Sequence, residues 1–147
     1  FWLTGGASNT GGTVLKKYFT KKEIVNLSSK IDPNMVSGLE YYPLAIPGER
    51  FPVNNPNLQP CLTPRPTKDS IFLQGMFEGM ARIEKNCYTV ILDRGGDFPK
   101  YVLTVGGGAN NSVWTTIRSK ILGVNVTPGV NTEAAVGAAK IPILFKD

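Results

Sequence analysis

The chain has 147 residues, 41% of them hydrophobic, enough to bury one sizeable core and too few for two ordinary domains. Its formal charge of +5 comes from scattered lysines and arginines, adjacent only at Lys16-Lys17 and Lys21-Lys22. That pattern describes a solvated face and excludes the dense basic stripe of a nucleic-acid reader. There is no histidine, which removes the Ser-His triad and most transition-metal sites, and no apolar run is long enough to cross a bilayer.

Cys61 and Cys87 stand apart and match no zinc or redox spacing, as expected of a reduced, cytoplasmic protein. Phe1 opens without an initiator Met or a signal-peptide pattern, so the chain is expected to begin inside something larger. The sequons at Asn26, Asn110 and Asn125 are then chance matches.

Phe1 to Phe19 combines an apolar start, a glycine-rich bend and a helical pattern through Val14, Leu15, Tyr18 and Phe19. Gly6 to Thr13 approaches a phosphate loop, but Gly12 stands where the phosphate-gripping lysine belongs, so a P-loop is rejected. Thr20-Lys21-Lys22-Glu23 has capping-box spacing and predicts a helix carrying Ile24, Val25, Leu27 and Ile31, ended by Pro33 and Ser37-Gly38. Leu39 to Ile46 reads as a strand, at an edge or with a bulge because of Pro43. Six prolines between Pro47 and Pro66 predict an irregular surface crossing, in which Glu49, Arg50 and Phe51 read as a solvated loop with one hydrophobic anchor, or as the edge of a cleft.

From Asp69 to about Ile91, apolar positions at three- and four-residue steps predict a long amphipathic helix; Gly75 and Gly79 on it let a neighbouring element approach closely. Tyr101 to Gly123 then reads as strand, glycine turn and helix. Tyr101, Val102, Leu103 and Val105 form the strand; Asn110 or Asn111 caps a helix presenting Val113, Trp114, Ile117 and Ile121; Gly123 stops it. The glycines at 106, 107 and 108 allow a flat or anionic ligand to lie on bare backbone, or serve only as a tight turn. A dinucleotide fingerprint is excluded, since its third glycine would fall on Asn111. Val124 to Val126 is a brief strand, Thr127-Pro128-Gly129 a turn, and Glu133 to about Lys140 a small-residue helix capped by Thr132.

In order and spacing, VGGGANNSVW (Val105 to Trp114), ILGVNV (Ile121 to Val126), EAAVGAA (Glu133 to Ala139), FLQGMFEGMARIE (Phe72 to Glu84) and GGASNTGG (Gly5 to Gly12) resemble the carboxy-terminal lobe of the FGGY carbohydrate kinases. The likeness covers nearly the whole chain. It implies an α/β, ribonuclease-H-like (actin-type ATPase) lobe with helices packed around a small mixed sheet, spanning residues 1–147 as the nucleotide-binding lobe. Pro47 to Pro66 and Gly79 to Tyr88 look most like the plant and cyanobacterial branch that phosphorylates ribulose or xylulose.

The resemblance implies binding of ATP with Mg2+ and transfer of the γ-phosphoryl group to a sugar hydroxyl, with an aspartate of the missing amino-terminal lobe as base. Neither Asp69 nor Asp93 sits in the family's catalytic motif, so no catalytic or metal residue is assigned and the chain alone is expected to be inactive. On the nucleotide side, Gly107 and Gly108 match the wall against adenosine and Asn111 the polar contact to adenine or ribose. Gly6 and Thr10 match the bend near the ribose and α-phosphate; Asn9 rivals Thr10, because this chain is two residues longer there than some members. Glu133 and Ala134 either line the pocket floor or simply start their helix. Expected partners are therefore sugar, ATP and the amino-terminal lobe, without nucleic acid or membrane; the alternative is a non-catalytic nucleotide-binding or assembly module that keeps the fold.

Overall fold

The structure is a computed structural model and describes residues 4–130. The first helix, α1 (Gly12–Lys16), is short and buries Val14 and Leu15. The second, α2 (Lys21–Ser28), carries the expected capping box: Thr20 Oγ1 accepts from the Glu23 amide and the Glu23 carboxylate accepts from the Thr20 amide. It ends at Ser28, earlier than the periodicity suggested. Ile31 lies beyond it, buried all the same, whereas Val25 faces solvent.

Leu39 to Ile46 is not a strand. It runs as extended chain with one antiparallel bridge, Tyr42 to Cys61, because Pro43 has no amide to continue a ladder. What fixes this segment is the long helix α3 (Asp69–Asp93), whose Gly79 admits its backbone and whose Gly75 admits the side chains of Leu39 and Tyr41. A Cβ at Gly79 would sit 2.6 Å from the Tyr41 carbonyl oxygen, and one at Gly75 would sit 2.8 Å from Leu39 Cδ1. The close approach expected at these two positions is present.

One continuous core forms around α3. Phe72 meets Tyr18, Phe19 and Tyr41 edge-on at centroid distances of 5.3, 6.3 and 5.7 Å. Val14 and Leu15 pack from α1, Met76 and Phe77 from α3 itself. Helix α4 (Ser112–Leu122) closes the other side with Ile117, while Val113, Trp114 and Ile121 flank it, as its spacing predicted.

Before and after α4 lie β1 (Tyr101–Thr104) and β2 (Asn125–Pro128), paired in parallel from Tyr101 opposite Asn125 to Thr104 opposite Pro128. The expected mixed sheet is thus, among the described residues, a two-stranded parallel one. Thr127 and Pro128 belong to the strand and not to a turn; Pro128 is tolerated at the strand's end, where the ladder is continued by the Gly129 amide bonding Thr104 O at 2.9 Å. Val102 and Val126 pack inward against Leu122 and Tyr88, leaving Tyr101 and Leu103 exposed on the outer face. Glu133, Ala134 and the expected helix from Glu133 to Lys140 lie outside the described residues. None of the described helices is long and apolar enough to cross a membrane.

Candidate functional site

Strand β1 delivers the chain to Gly106, whose φ of 80° is a conformation that side chains rarely adopt. A single 3-10 turn, Gly107–Asn110, follows and leads into α4. Asn111 is the cap: its Oδ1 accepts from the Trp114 amide at 3.1 Å, while its Nδ2 donates to Ser28 Oγ at 2.9 Å. Of the two candidate asparagines, the second is the cap, and its amide is engaged at both ends. At the far end Gly123, φ 75°, closes the helix in the left-handed conformation.

Gly107 and Gly108 differ in what surrounds them. A Cβ on Gly107 would meet nothing within 4 Å, so its backbone is open on that side. A Cβ on Gly108 would come within 3.3 Å of Trp114 Cδ1 and Nε1, which makes Trp114 the support behind the turn. Trp114 in turn packs on Phe77 at a centroid distance of 5.2 Å and lies beneath the Arg118 guanidinium. Arg118 is buried and pairs in bidentate fashion with Glu84 of α3, at 2.8 and 2.6 Å.

The other glycine segment is knitted to the proline-rich crossing. Asn9 is held through its backbone N–H and both ends of its side chain: the amide donates to Glu49 Oε1 at 2.7 Å, Nδ2 to Gly48 O at 3.0 Å, and Oδ1 accepts from Arg50 Nε at 2.7 Å. Thr10 Oγ1 donates to Pro43 O at 2.6 Å, and its amide to Ser8 Oγ at 3.0 Å. Gly6 lies under the ring of Phe51, where a Cβ would be 2.3 Å from Cδ1.

The view of Glu49 to Phe51 as a solvated loop is therefore corrected. Glu49 is 2% exposed and accepts four hydrogen bonds, from the Asn9 and Arg50 amides on Oε1 and from the Ser8 and Tyr42 hydroxyls on Oε2. Burial beside this carboxylate pushes the Tyr42 phenol well above its ordinary value, desolvation first and Glu49 second. The signal in the sequence was slight: Glu49 is the only acid between Pro47 and Pro66.

Between the bend and α3 lies a cleft of about 400 Å³ whose walls include Gly5, Gly6, Ser8, Phe51, Glu84, Cys87 and Tyr88. Desolvation, with Glu49 and then Glu84 adding repulsion, pushes the Cys87 thiol up to about 11, so it stays protonated at neutral pH. Desolvation likewise raises the Tyr88 phenol, helped by Glu84. Gly107, Gly108 and Asn111 are not among the walls of this cleft. Structurally, then, the residues singled out in the sequence form two groups: Gly6, Asn9 and Thr10 against the crossing, and Gly107, Gly108 and Asn111 at the head of α4.

Residues 2–142 match the family model of the FGGY family of carbohydrate kinases, C-terminal domain. The chain belongs to that family. The match takes in both glycine segments, the long helix and the unit formed by β1, α4 and β2. FGGY kinases are ATP-dependent phosphotransferases that act on carbohydrates, so both groups of residues belong to the C-terminal domain of a kinase. In this FGGY domain the arrangement offers open backbone at Gly107, a capped helix start beside it, and a second bend whose side chains are already committed to one another.

Proposed function

We propose that residues 1–147 form the nucleotide-binding lobe of a sugar kinase whose acceptor is a keto-pentose, ribulose or xylulose. The observation that carries the nucleotide reading is the bare backbone at Gly107, open where β1 hands over to the capped start of α4. A flat base can approach that backbone, since a Cβ there would meet nothing within 4 Å beyond its chain neighbours. Gly107 and Gly108 would hold the adenosine, Asn111 would touch adenine or ribose by exchanging one of its present partners, and Gly6, Asn9 and Thr10 would shape the bend nearer the phosphates.

Bound ATP, with its Mg2+, supplies the γ-phosphoryl group, while an aspartate of the amino-terminal lobe takes the proton of the sugar hydroxyl. No side chain among the described residues is assigned to the ion. This chain contributes binding and orientation, and alone it transfers no phosphoryl group. The keto-pentose reading is supported by the likeness of Pro47 to Pro66 and Gly79 to Tyr88 to the ribulose and xylulose branch.

The test is nucleotide binding by the chain and by Gly107→Leu, which fills the open wall without meeting protein atoms near its Cβ. ATP affinity is expected to fall about tenfold or more, equivalent to the loss of ~1.4 kcal/mol of binding free energy. Unchanged affinity rejects the site. Joined with its amino-terminal lobe, the protein is expected to consume ATP with one keto-pentose and not with glycerol or hexoses.

A further inference from the structure

Arg50 is set apart from three other arginines of the chain by its partner. Arg65, Arg82 and Arg118 each face a carboxylate, of Asp69, Glu40 and Glu84. Arg50 is exposed, and the hydrogen bond found for its side chain among the described residues runs from Nε to the neutral Oδ1 of Asn9, at 2.7 Å. That bond fixes one edge of the guanidinium, and on this exposed residue the two terminal nitrogens remain as a planar pair of donors. A planar fork of this kind matches a phosphate better than a lysine can.

The support beneath it is rigid. Asn9, which grips Arg50, is itself held through its amide by Oε1 of buried Glu49 and through Nδ2 by the Gly48 carbonyl. Glu49 also accepts from the Arg50 amide, at 2.9 Å, so the main chain of Arg50 is held by Glu49 and its side chain by Asn9. A carboxylate that is 2% exposed and takes four hydrogen bonds from its own chain is committed to holding the bend together. Its role is to position. On the bend that carries Asn9, a Cβ at Gly5, Gly11 or Gly12 would meet nothing within 4 Å beyond its chain neighbours, so the backbone there is open.

We infer that Arg50 is a phosphate-binding residue, held on the glycine bend by Asn9 and Glu49, and that it takes the phosphate chain of the nucleotide. The inference rests on the nucleotide reading above and adds to it a named charged contact. It also accounts for a cation placed in a crossing otherwise rich in proline and asparagine. Arg50→Lys keeps the charge but loses both the bond to Asn9 and the planar fork, so it does not restore binding.

The experiment measures the affinity of the chain for ATP, ADP, adenosine and inorganic triphosphate, for the unaltered protein and for Arg50→Gln, Arg50→Lys and Gly107→Leu. Arg50→Gln is expected to weaken ATP, ADP and triphosphate about tenfold, to leave adenosine within about twofold, and to melt as the unaltered protein does. Arg50→Lys is expected to recover less than half of that loss. An ATP affinity untouched by Arg50→Gln overturns the inference, and so does an equal loss for ATP and adenosine, which would mark an effect through the fold. Gly107→Leu separates the two proposals: if it changes neither ATP nor adenosine binding, the adenosine wall is wrong whatever Arg50 does. Absence of all binding by the unaltered chain overturns both.

Discussion

Replacing Gly79 with alanine tests the close crossing of α3 and the extended segment that carries Tyr41. In a helix interior that change is favourable by about 1 kcal/mol when nothing is in the way. Here the new methyl would stand 2.6 Å from the Tyr41 carbonyl oxygen, 3.2 Å from its carbon and 2.9 Å from Pro43 Cδ. The first two are backbone atoms of a segment tied down by the bridge between Tyr42 and Cys61, so relief requires the whole segment to move. Overpacking of this kind costs about 1–3 kcal/mol, and the rigid neighbour puts Gly79 at the upper end, for a net loss of roughly 2 kcal/mol. For a chain of this size that lowers the melting temperature by roughly 4–8 °C. At Gly75 the nearest atoms are Leu39 Cδ1, the ring edge of Tyr41 and Leu39 Cβ, side-chain atoms of buried residues instead of backbone, so Gly75→Ala is expected to cost less than Gly79→Ala. Thermal and urea unfolding followed by circular dichroism reads both variants. If Gly79→Ala proves as stable as the unaltered protein, or if Gly75→Ala is the more damaging, the account of this crossing is wrong.

Two further outcomes follow from the side of α3 that meets α4. Arg118→Met strands the Glu84 carboxylate; because that side chain keeps 22% of its exposure, the loss is expected at about 2 kcal/mol, below the range for a fully buried pair. Adding Glu84→Met should recover most of it, and a coupling under about 0.5 kcal/mol in urea unfolding of the four proteins would refute the pairing. At pH 8 a thiol reagent should modify exposed Cys61 quickly and Cys87 slowly, with the rate at Cys87 climbing until the pH passes about 11; equal rates at pH 8 would remove the burial argument.

Features written in local spacing were legible in the sequence. The capping box at Thr20 and Glu23, the period of α3, and the asparagine and glycine that bound α4 each depend on residues a turn apart. Gly75 and Gly79 were legible too, because paired small residues on a helix have few uses apart from close approach. The strand expected from Leu39 to Ile46 failed since its alternation needed a partner ladder, and the chain instead lay on α3 with a single bridge. Glu49 was missed for the same kind of reason: its donors come from residues 8, 9, 42 and 50, and nothing in a proline-rich run announces that an acid is buried. Both glycine segments were singled out in the sequence as backbone features. What the linear chain concealed was how differently they are dressed, Gly107 open and Gly6 covered by Phe51.

The amide of Asn111 has one hand on the start of α4 and the other on Ser28, the last residue of α2, 83 positions earlier in the chain. A ligand that draws on this amide uses the second N–H and the second lone pair that remain, or displaces one of those partners. If it displaces Ser28, occupancy of the turn and the seating of α2 become two faces of a single equilibrium. Linkage then makes the effect mutual: whatever leans on α2 from outside changes affinity at the turn by the same factor with which the ligand loosens α2.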